Sequence, residues 1–287
     1  MDMELDPNKQ TFQMQTCKVL RVVEENYRVK TFEIESNVKA KPGQYIMVWV
    51  PEIGERPMSL GGASPIRLSI ANVGKFSSEI HKLKEGDILS FRGPLGTGFK
   101  ISKNQDAERK TATKPDTRNR KHILLVGGGY GVVPLYFLAN EAKKLGVEST
   151  MVIAARKADD VIYEKHFKDL DCEVLVTTDD GSKGFKGNAV EGVKKLLEQG
   201  KRFDGVYSCG PEMMMYYLAK LCQEKNIPCQ LSVERYMKCG INICGACAVD
   251  GKLCCSDGPI FTGEEALKFK EFGEVARDAS GKKVSLH

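Results

Sequence analysis

Five of the chain's ten cysteines fall within 17 residues: Cys239, Cys244, Cys247, Cys254 and Cys255. Read as C-x4-C-x2-C followed by a more distant cysteine, this is the spacing with which four thiolates hold the two irons of a plant-type 2Fe–2S cluster. Gly240, Gly245 and Ala246 are small enough for the loop to fold closely and aim its amides at sulfur. Structural zinc is the competing occupant. Zinc favours two C-x2-C pairs, and here only Cys244 and Cys247 make one. Spacing leaves Cys254 and Cys255 equal as fourth ligand. The remaining cysteines, Cys17, Cys172, Cys209, Cys222 and Cys229, sit among apolar neighbours and read as core thiols.

A second constellation is built from glycine. Gly127, Gly128, Gly129 and Gly131, with Pro134, stand between a strand-like run, HILLV, and a helix-like one. In that context glycines permit a tight turn and bring backbone N–H groups up to a pyrophosphate at the positive end of a helix, which points to a dinucleotide. Proline takes the third position of the usual fingerprint, and glycine turns also occur without a ligand. Cys209, Gly210 and Pro211 follow a later strand-like run in the same manner, so both turns are expected to border one site. The plain alternative for the second is a helix start with proline in its first turn. Arg156 and Lys157, after the run STMVIAA, are candidates for a 2′-phosphate. NADP therefore stays open beside the preferred NAD.

An iron–sulfur cluster moves one electron and a nicotinamide takes two as hydride. A flavin converts between the two. Arg56-Pro57-Met58-Ser59 offers a guanidinium for a phosphate and a hydroxyl beside it, although such a tetrapeptide also suits a surface arginine before a turn.

The elements that would position these groups divide in two. From Thr11 to about Phe99 short β-rich runs alternate with turn residues: CKVLRVV, VKTFEI, QYIMVWV, IRLSIANV and DILSF, with one helical stretch over Ser77–Lys84. That pattern predicts a small antiparallel barrel. From His122 onward strand and helix alternate, which predicts a parallel sheet covered on both faces. Asn188 and Glu191 make a capping box there. The expected division is 1–100 barrel, 101–121 linker, 122–230 α/β domain and 231–287 cluster segment with tail. The linker holds seven basic and three acidic side chains and reads as a solvated loop.

Composition narrows the function classes. At ~150 residues per domain, 287 residues make about two domains. A net charge of +5 on a chain that is 41% hydrophobic and 28% charged is an ordinary globular balance, not that of a nucleic-acid binder. The N-terminus lacks a basic, apolar leader, so secretion is not expected. The longest uncharged run, Ile123 to Asn140, contains four glycines and Pro134 and is short for a ~20-residue membrane span. A cytoplasmic protein with reduced thiols is the expectation.

Together these motifs resemble the ferredoxin–NADP reductase superfamily, and within it the electron-transfer subunits of two-subunit dihydroorotate dehydrogenases. The resemblance covers nearly the whole chain: Pro42-Gly43-Gln44-Tyr45 in the barrel, the Arg56–Ser59 tetrapeptide, GGGYGVVPL, Asp179-Asp180-Gly181-Ser182 with Lys186-Gly187, Cys209-Gly210-Pro211, and the closing CGINICGACAVDGKLCCSDGPIF. It implies FAD on the barrel, NAD on the sheet and a 2Fe–2S cluster. It also implies a partner catalytic subunit with FMN that oxidises dihydroorotate, in a hetero-oligomer of two subunit types. The family's last cluster ligand precedes x-D-G-P, which assigns Cys255 and leaves Cys254 a neighbour. By the same resemblance Arg56 holds the FAD pyrophosphate and Ser59 approaches the isoalloxazine edge. Ser69, Ile70 and Ala71 flank the flavin, while Gly74, Phe76 and Ser77 close its phosphate loop. Gly-Thr is usual where this chain has Phe76-Ser77, and Met58 replaces an aromatic ring of wider relatives. Asp180 lines the NAD site. Hydride is expected to pass where the Gly129 turn and Ser59 face each other across the cleft. Two other functions remain: an NAD(P)-handling diaphorase subunit of a soluble hydrogenase or transhydrogenase, and a zinc-stapled nucleotide-binding module without redox activity.

Overall fold

The computed structural model describes residues 13–101, 121–278 and 280–286. The interior of the basic linker falls outside them. The N-terminal lobe contains β1 (Gln15–Glu24), β2 (Val29–Ile34), β3 (Tyr45–Val50), β4 (Gly54–Ser59), β5 (Gly62–Ala63), β6 (Ile66–Ala71), the short helix α1 (Lys75–Ile80) and β7 (Ile88–Leu95). These strands pair antiparallel in the order β4-β3-β7-β1-β2-β6-β5, and the sheet curls until β4 touches β6. Alternation drives the curl. In β7, Leu89, Phe91, Gly93 and Leu95 are buried while the residues between them are not. Val19, Phe32, Ile34, Ile46, Val48, Leu68 and Phe91 fill the interior.

Two details differ from the expected pattern. α1 begins at Lys75 rather than Ser77, because the buried Ser77 hydroxyl accepts the N–H groups of Val73 and Gly74 at 2.9 and 3.0 Å and so fastens the turn before it. Arg56–Ser59 lies in a strand, not before a turn. β4 is an edge strand, where a proline need not break a ladder on both sides.

The second lobe contains β8 (His122–Gly128), α2 (Val132–Lys144), β9 (Glu148–Ala155), α3 (Glu164–Asp169), β10 (Glu173–Thr178), β11 (Phe185–Lys186), α4 (Ala189–Glu198), β12 (Gly205–Cys209), α5 (Glu212–Glu224) and β13 (Cys229–Ser232). The Asn188–Glu191 capping box is present at α4. The chain ends with the hairpin β14 (Ala248–Val249) and β15 (Lys252–Leu253), then β16 (Ile260–Thr262), α6 (Gly263–Lys268) and the hairpin β17 (Val275–Arg277) and β18 (Lys283–Ser285). The large sheet runs β11-β10-β9-β8-β12-β13-β16 and is parallel up to β13. β16, from the stretch expected to carry only the cluster and a tail, adds antiparallel to β13. Strand order reverses between β8 and β12, so a crevice opens at their carboxyl ends. Among the described residues no helix is long and apolar enough to cross a membrane.

A buried carboxylate joins the lobes. Asp160, 8% exposed, accepts the Tyr27 hydroxyl at 2.8 Å and Arg156 Nε at 3.2 Å, with Arg28 at 3.5 Å. Beside it Asn26 donates to the Asp159 carbonyl, and Ser69 shares a 2.8 Å hydrogen bond with Tyr163. Burial opposes ionisation of Asp160, but the Tyr27 hydroxyl and the two arginines outweigh it and hold the carboxyl below the usual range. A carboxylate with a depressed folded pKa stabilises above its unfolded value, about 4, and loses that contribution as pH falls through the lower folded value. Asp160→Asn is expected to cost about 2 kcal/mol at pH 7, the scale of a hydrogen bond to a charged group. In urea titrations the gap between wild type and variant should narrow as pH falls toward about 3; a constant gap counts against the ionised junction.

Candidate functional site

The barrel provides a floor for the cysteine-rich loop. Tyr45 and Met47 on β3 and Leu95 on β7 are buried in one apolar cluster with Cys247, Val249, Cys254 and Cys255. The Tyr45 hydroxyl donates to the Cys255 carbonyl at 3.2 Å, and Arg92 Nη2 donates to the Cys239 carbonyl. Gly240 has φ +65°, and a Cβ there would lie 3.2 Å from Met47 and 3.3 Å from Leu95. This glycine is required by the barrel as much as by the loop.

On that floor Cys239 interacts with the Cys244 thiol, and Cys247 with the thiols of both Cys255 and Cys244. The N–H groups of Ile241 and Cys244 point at Cys239 Sγ at 3.5 and 3.4 Å. Burial raises the Cys239 thiol, but the N–H groups of Ile241, Ile243 and Cys244, with the Cys244 thiol, bring it down to about 7. Burial chiefly, with the Cys255 thiol adding, pushes Cys247 up to about 12. Cys254 lies beside them, its N–H donating to the Cys247 carbonyl at 3.2 Å. It is fully buried, which raises its thiol to about 12 against the pull of Arg235. Among the described residues no three metal-binding side chains converge on one point.

The residues expected around a flavin are only partly turned outward. Ser59 and Gly74 are exposed, and the Arg56 guanidinium lies 5.8 Å from the Phe76 ring, so β4 and α1 converge as a phosphate cradle requires. A Cβ on Gly74 would meet nothing within 4 Å, so the surface beside it is open, although its N–H is taken by the Ser77 hydroxyl. Phe76, Ile70 and Ala71 are buried, and Met58 packs on the barrel core. The Ser69 hydroxyl is committed to Thr31 and Tyr163, and that of Ser77 to its own loop. Pro57 is half-buried on the edge strand.

Both glycine turns meet at the crevice. A Cβ on Gly131 would lie 2.0 Å from the Cys209 carbonyl oxygen, one on Gly128 2.6 Å from Pro211, and one on Gly210 2.8 Å from the Gly128 nitrogen. Gly127 is closed off by Met151 and Val132, whereas Gly129, at φ +54°, faces open space. α2 starts with neither a side-chain cap nor an acidic residue in its first turn, so its N–H groups and positive end are available to an anion. β4 leads into this place: a Cβ on Gly61 would strike Val133 of α2 at 2.8 Å. Ser59 thus lies two residues from contact with the nucleotide turn's helix. Asp180 is exposed, and the hydroxyl and N–H of Ser182 hold its carboxyl below the usual range. Arg156 and Lys157 are paired with Asp160 and Asp159. Neither is an unpaired cation waiting for a 2′-phosphate.

Arg92 and the Tyr27–Asp160 junction carry no signal in the sequence: their partners are 37 to 147 residues away, and no local motif frames them. Tyr45 stands in the Pro42-Gly43-Gln44-Tyr45 motif, but its partner, the Cys255 carbonyl 210 residues on, is not legible there.

The family model described as the iron–sulfur cluster binding domain of dihydroorotate dehydrogenase B matches residues 234–267. A protein of Methanocaldococcus jannaschii named "Probable dihydroorotate dehydrogenase B (NAD(+)), electron transfer subunit" is 40% identical over 270 residues, covering 93% of this chain and 97% of the relative. A protein of the same name from Methanothermobacter thermautotrophicus is 38% identical over 278 residues, covering 94% and 97%. Among solved structures, one described as the NADH-dependent reduced ferredoxin-NADP oxidoreductase superposes with a TM-score of 0.74 at 32% identity, covering 87% of this chain and 88% of that one. The FAD/NAD-binding domain of nitric oxide dioxygenase from Vibrio cholerae, at TM-score 0.56 and 22% identity over 74% and 94%, shares the fold.

Proposed function

This chain belongs to the family of dihydroorotate dehydrogenase B electron-transfer subunits, and from that membership we propose that it passes electrons from an FMN-containing dihydroorotate-oxidising catalytic subunit to NAD, in a cytoplasmic hetero-oligomer of two subunit types. The observation that carries the reading is the cysteine-rich loop seated on the barrel floor, with Arg92 holding the Cys239 carbonyl, Tyr45 holding the Cys255 carbonyl and the Ile241 and Cys244 N–H groups aimed at Cys239 Sγ. We assign Cys239, Cys244, Cys247 and Cys255 as the four thiolates that would hold a 2Fe–2S cluster. When bound, FAD supplies the exchange between hydride and single electrons, and the cluster supplies the single-electron route. The chain's residues bind and orient. Arg56 neutralises the FAD pyrophosphate beside Gly74 and Phe76, and Ser59 offers its hydroxyl to the flavin edge. The α2 N-terminus and the Gly127–Gly131 and Cys209–Pro211 turns hold the dinucleotide phosphates, with Asp180 near its rim. No general acid or base is assigned, because orientation and electrostatics suffice for hydride and electron transfer.

The test is anaerobic isolation with whatever partner co-purifies. A flavin and iron–sulfur visible spectrum, a reduced-state EPR signal and dihydroorotate-dependent reduction of NAD are expected. NADH should outperform NADPH in kcat/KM, since Arg156 and Lys157 are already paired. A colourless, zinc-loaded protein overturns the redox reading. Turnover with ferredoxin but none with dihydroorotate moves the chain to the transhydrogenase alternative.

A further inference from the structure

The cysteine-rich loop receives one permanent positive charge from the barrel. Arg92 Nε and Nη2 donate to the Glu55 carboxylate at 2.8 and 2.7 Å, and Nη2 reaches on to the Cys239 carbonyl. The Arg92 side chain is only 11% exposed, so water screens its field weakly. The hydrogen bonds from Glu55 raise its pKa against the effect of burial, and the group stays charged. A planar guanidinium can serve a carboxylate and a carbonyl at once, which an ammonium does less well. From the neighbouring strand Tyr45 holds the Cys255 carbonyl. Two of the four assigned ligands, Cys239 and Cys255, are therefore anchored by the barrel, and the charge sits at the Cys239 anchor. Glu55 immediately precedes Arg56, so this ion pair stands between the flavin motif and the cluster loop.

We propose that Arg92 sets the reduction potential of the iron–sulfur centre, with Glu55 as the counter-charge that holds the guanidinium in place and partly offsets it. The inference rests on the cluster assignment made above. Reduction adds a negative charge to the cluster, and a nearby fixed cation stabilises that form, so it raises the potential. Nothing is oxidised or reduced at Arg92 itself. It is a positioning residue that acts through the ligands it touches.

The test is an EPR-monitored redox titration of the holoprotein. Arg92→Gln is expected to move the midpoint to a more negative potential, and Glu55→Gln to a more positive one. The double variant should lie between the singles, and Arg92→Lys between wild type and Arg92→Gln. Unshifted midpoints in Arg92→Gln and Glu55→Gln at wild-type iron content overturn the proposal. If Arg92→Gln does not retain iron, Glu55→Gln and Arg92→Lys carry the measurement, and midpoints equal to wild type in both overturn it. A wild-type protein with no reduced-state signal sinks the cluster assignment and this inference together, whereas unshifted midpoints sink this inference alone.

Discussion

Cys255→Ser is expected to abolish the reduced-state EPR signal and to drop partner-linked turnover to background, while Cys254→Ser keeps both. The two residues are adjacent and both buried, so composition cannot separate them; their directions do. Cys255 shares a contact with Cys247 and has its carbonyl held by Tyr45. Cys254 shares the same apolar cluster but lies within the field of Arg235. Serine is a poor ligand to iron where thiolate is required. NADH-driven reduction of a dye should continue in both variants, because the dye can draw on the flavin without the cluster. Iron content, EPR and the two assays decide the matter. An EPR signal retained in Cys255→Ser and lost in Cys254→Ser would reverse the ligand assignment.

The second large effect is expected at the nucleotide turn. Gly131→Ala places a methyl group 2.0 Å from the Cys209 oxygen and 2.4 Å from its carbonyl carbon. Both are backbone atoms of a strand end that is hydrogen-bonded within the sheet, so no side chain can swing aside. The turns must separate, at a cost of about 3 kcal/mol for forced overpacking. That strain opens the cradle, and NADH should bind about 100-fold more weakly, while the cluster, held on the barrel, keeps its EPR signal. Gly146→Ala, past the far end of α2, serves as the control, because its Cβ meets nothing and only the positive φ is strained. Equal NADH affinity for Gly131→Ala and wild type would remove this turn from the nucleotide site. Titration of NADH against protein fluorescence makes the measurement.

Much of the architecture is legible in the sequence because its signals are local. VKTFEI and EVLVTT occupy the very bounds of β2 and β10, and Asn188 with Glu191 announces the start of α4. The glycine turns are legible for the same reason. What is hidden is what depends on long-range pairing. β4 reads as a turn because its polar, proline-bearing GERPMS has no alternation of its own; β3 makes it a strand. β16 is three residues long and becomes a strand only against β13. The thiol spacing names a kind of centre but leaves Cys254 and Cys255 equal, a choice made only by the resemblance at x-D-G-P, and Arg92 is invisible until β7 meets both Glu55 and the loop.

The placement of β16 has a consequence for how electrons can move. The stretch carrying the cysteines is stitched to the barrel through Thr97, whose N–H donates to the Gly258 carbonyl at 2.7 Å and whose hydroxyl accepts the Ile260 N–H at 3.2 Å. It is stitched to the sheet through β13. It is a keystone rather than a swinging arm, and transfer distances within the subunit are set by architecture, not by diffusion of a tethered carrier. The same keystone shields the flank of β13, whose bare hydrogen-bonding row would otherwise invite another chain.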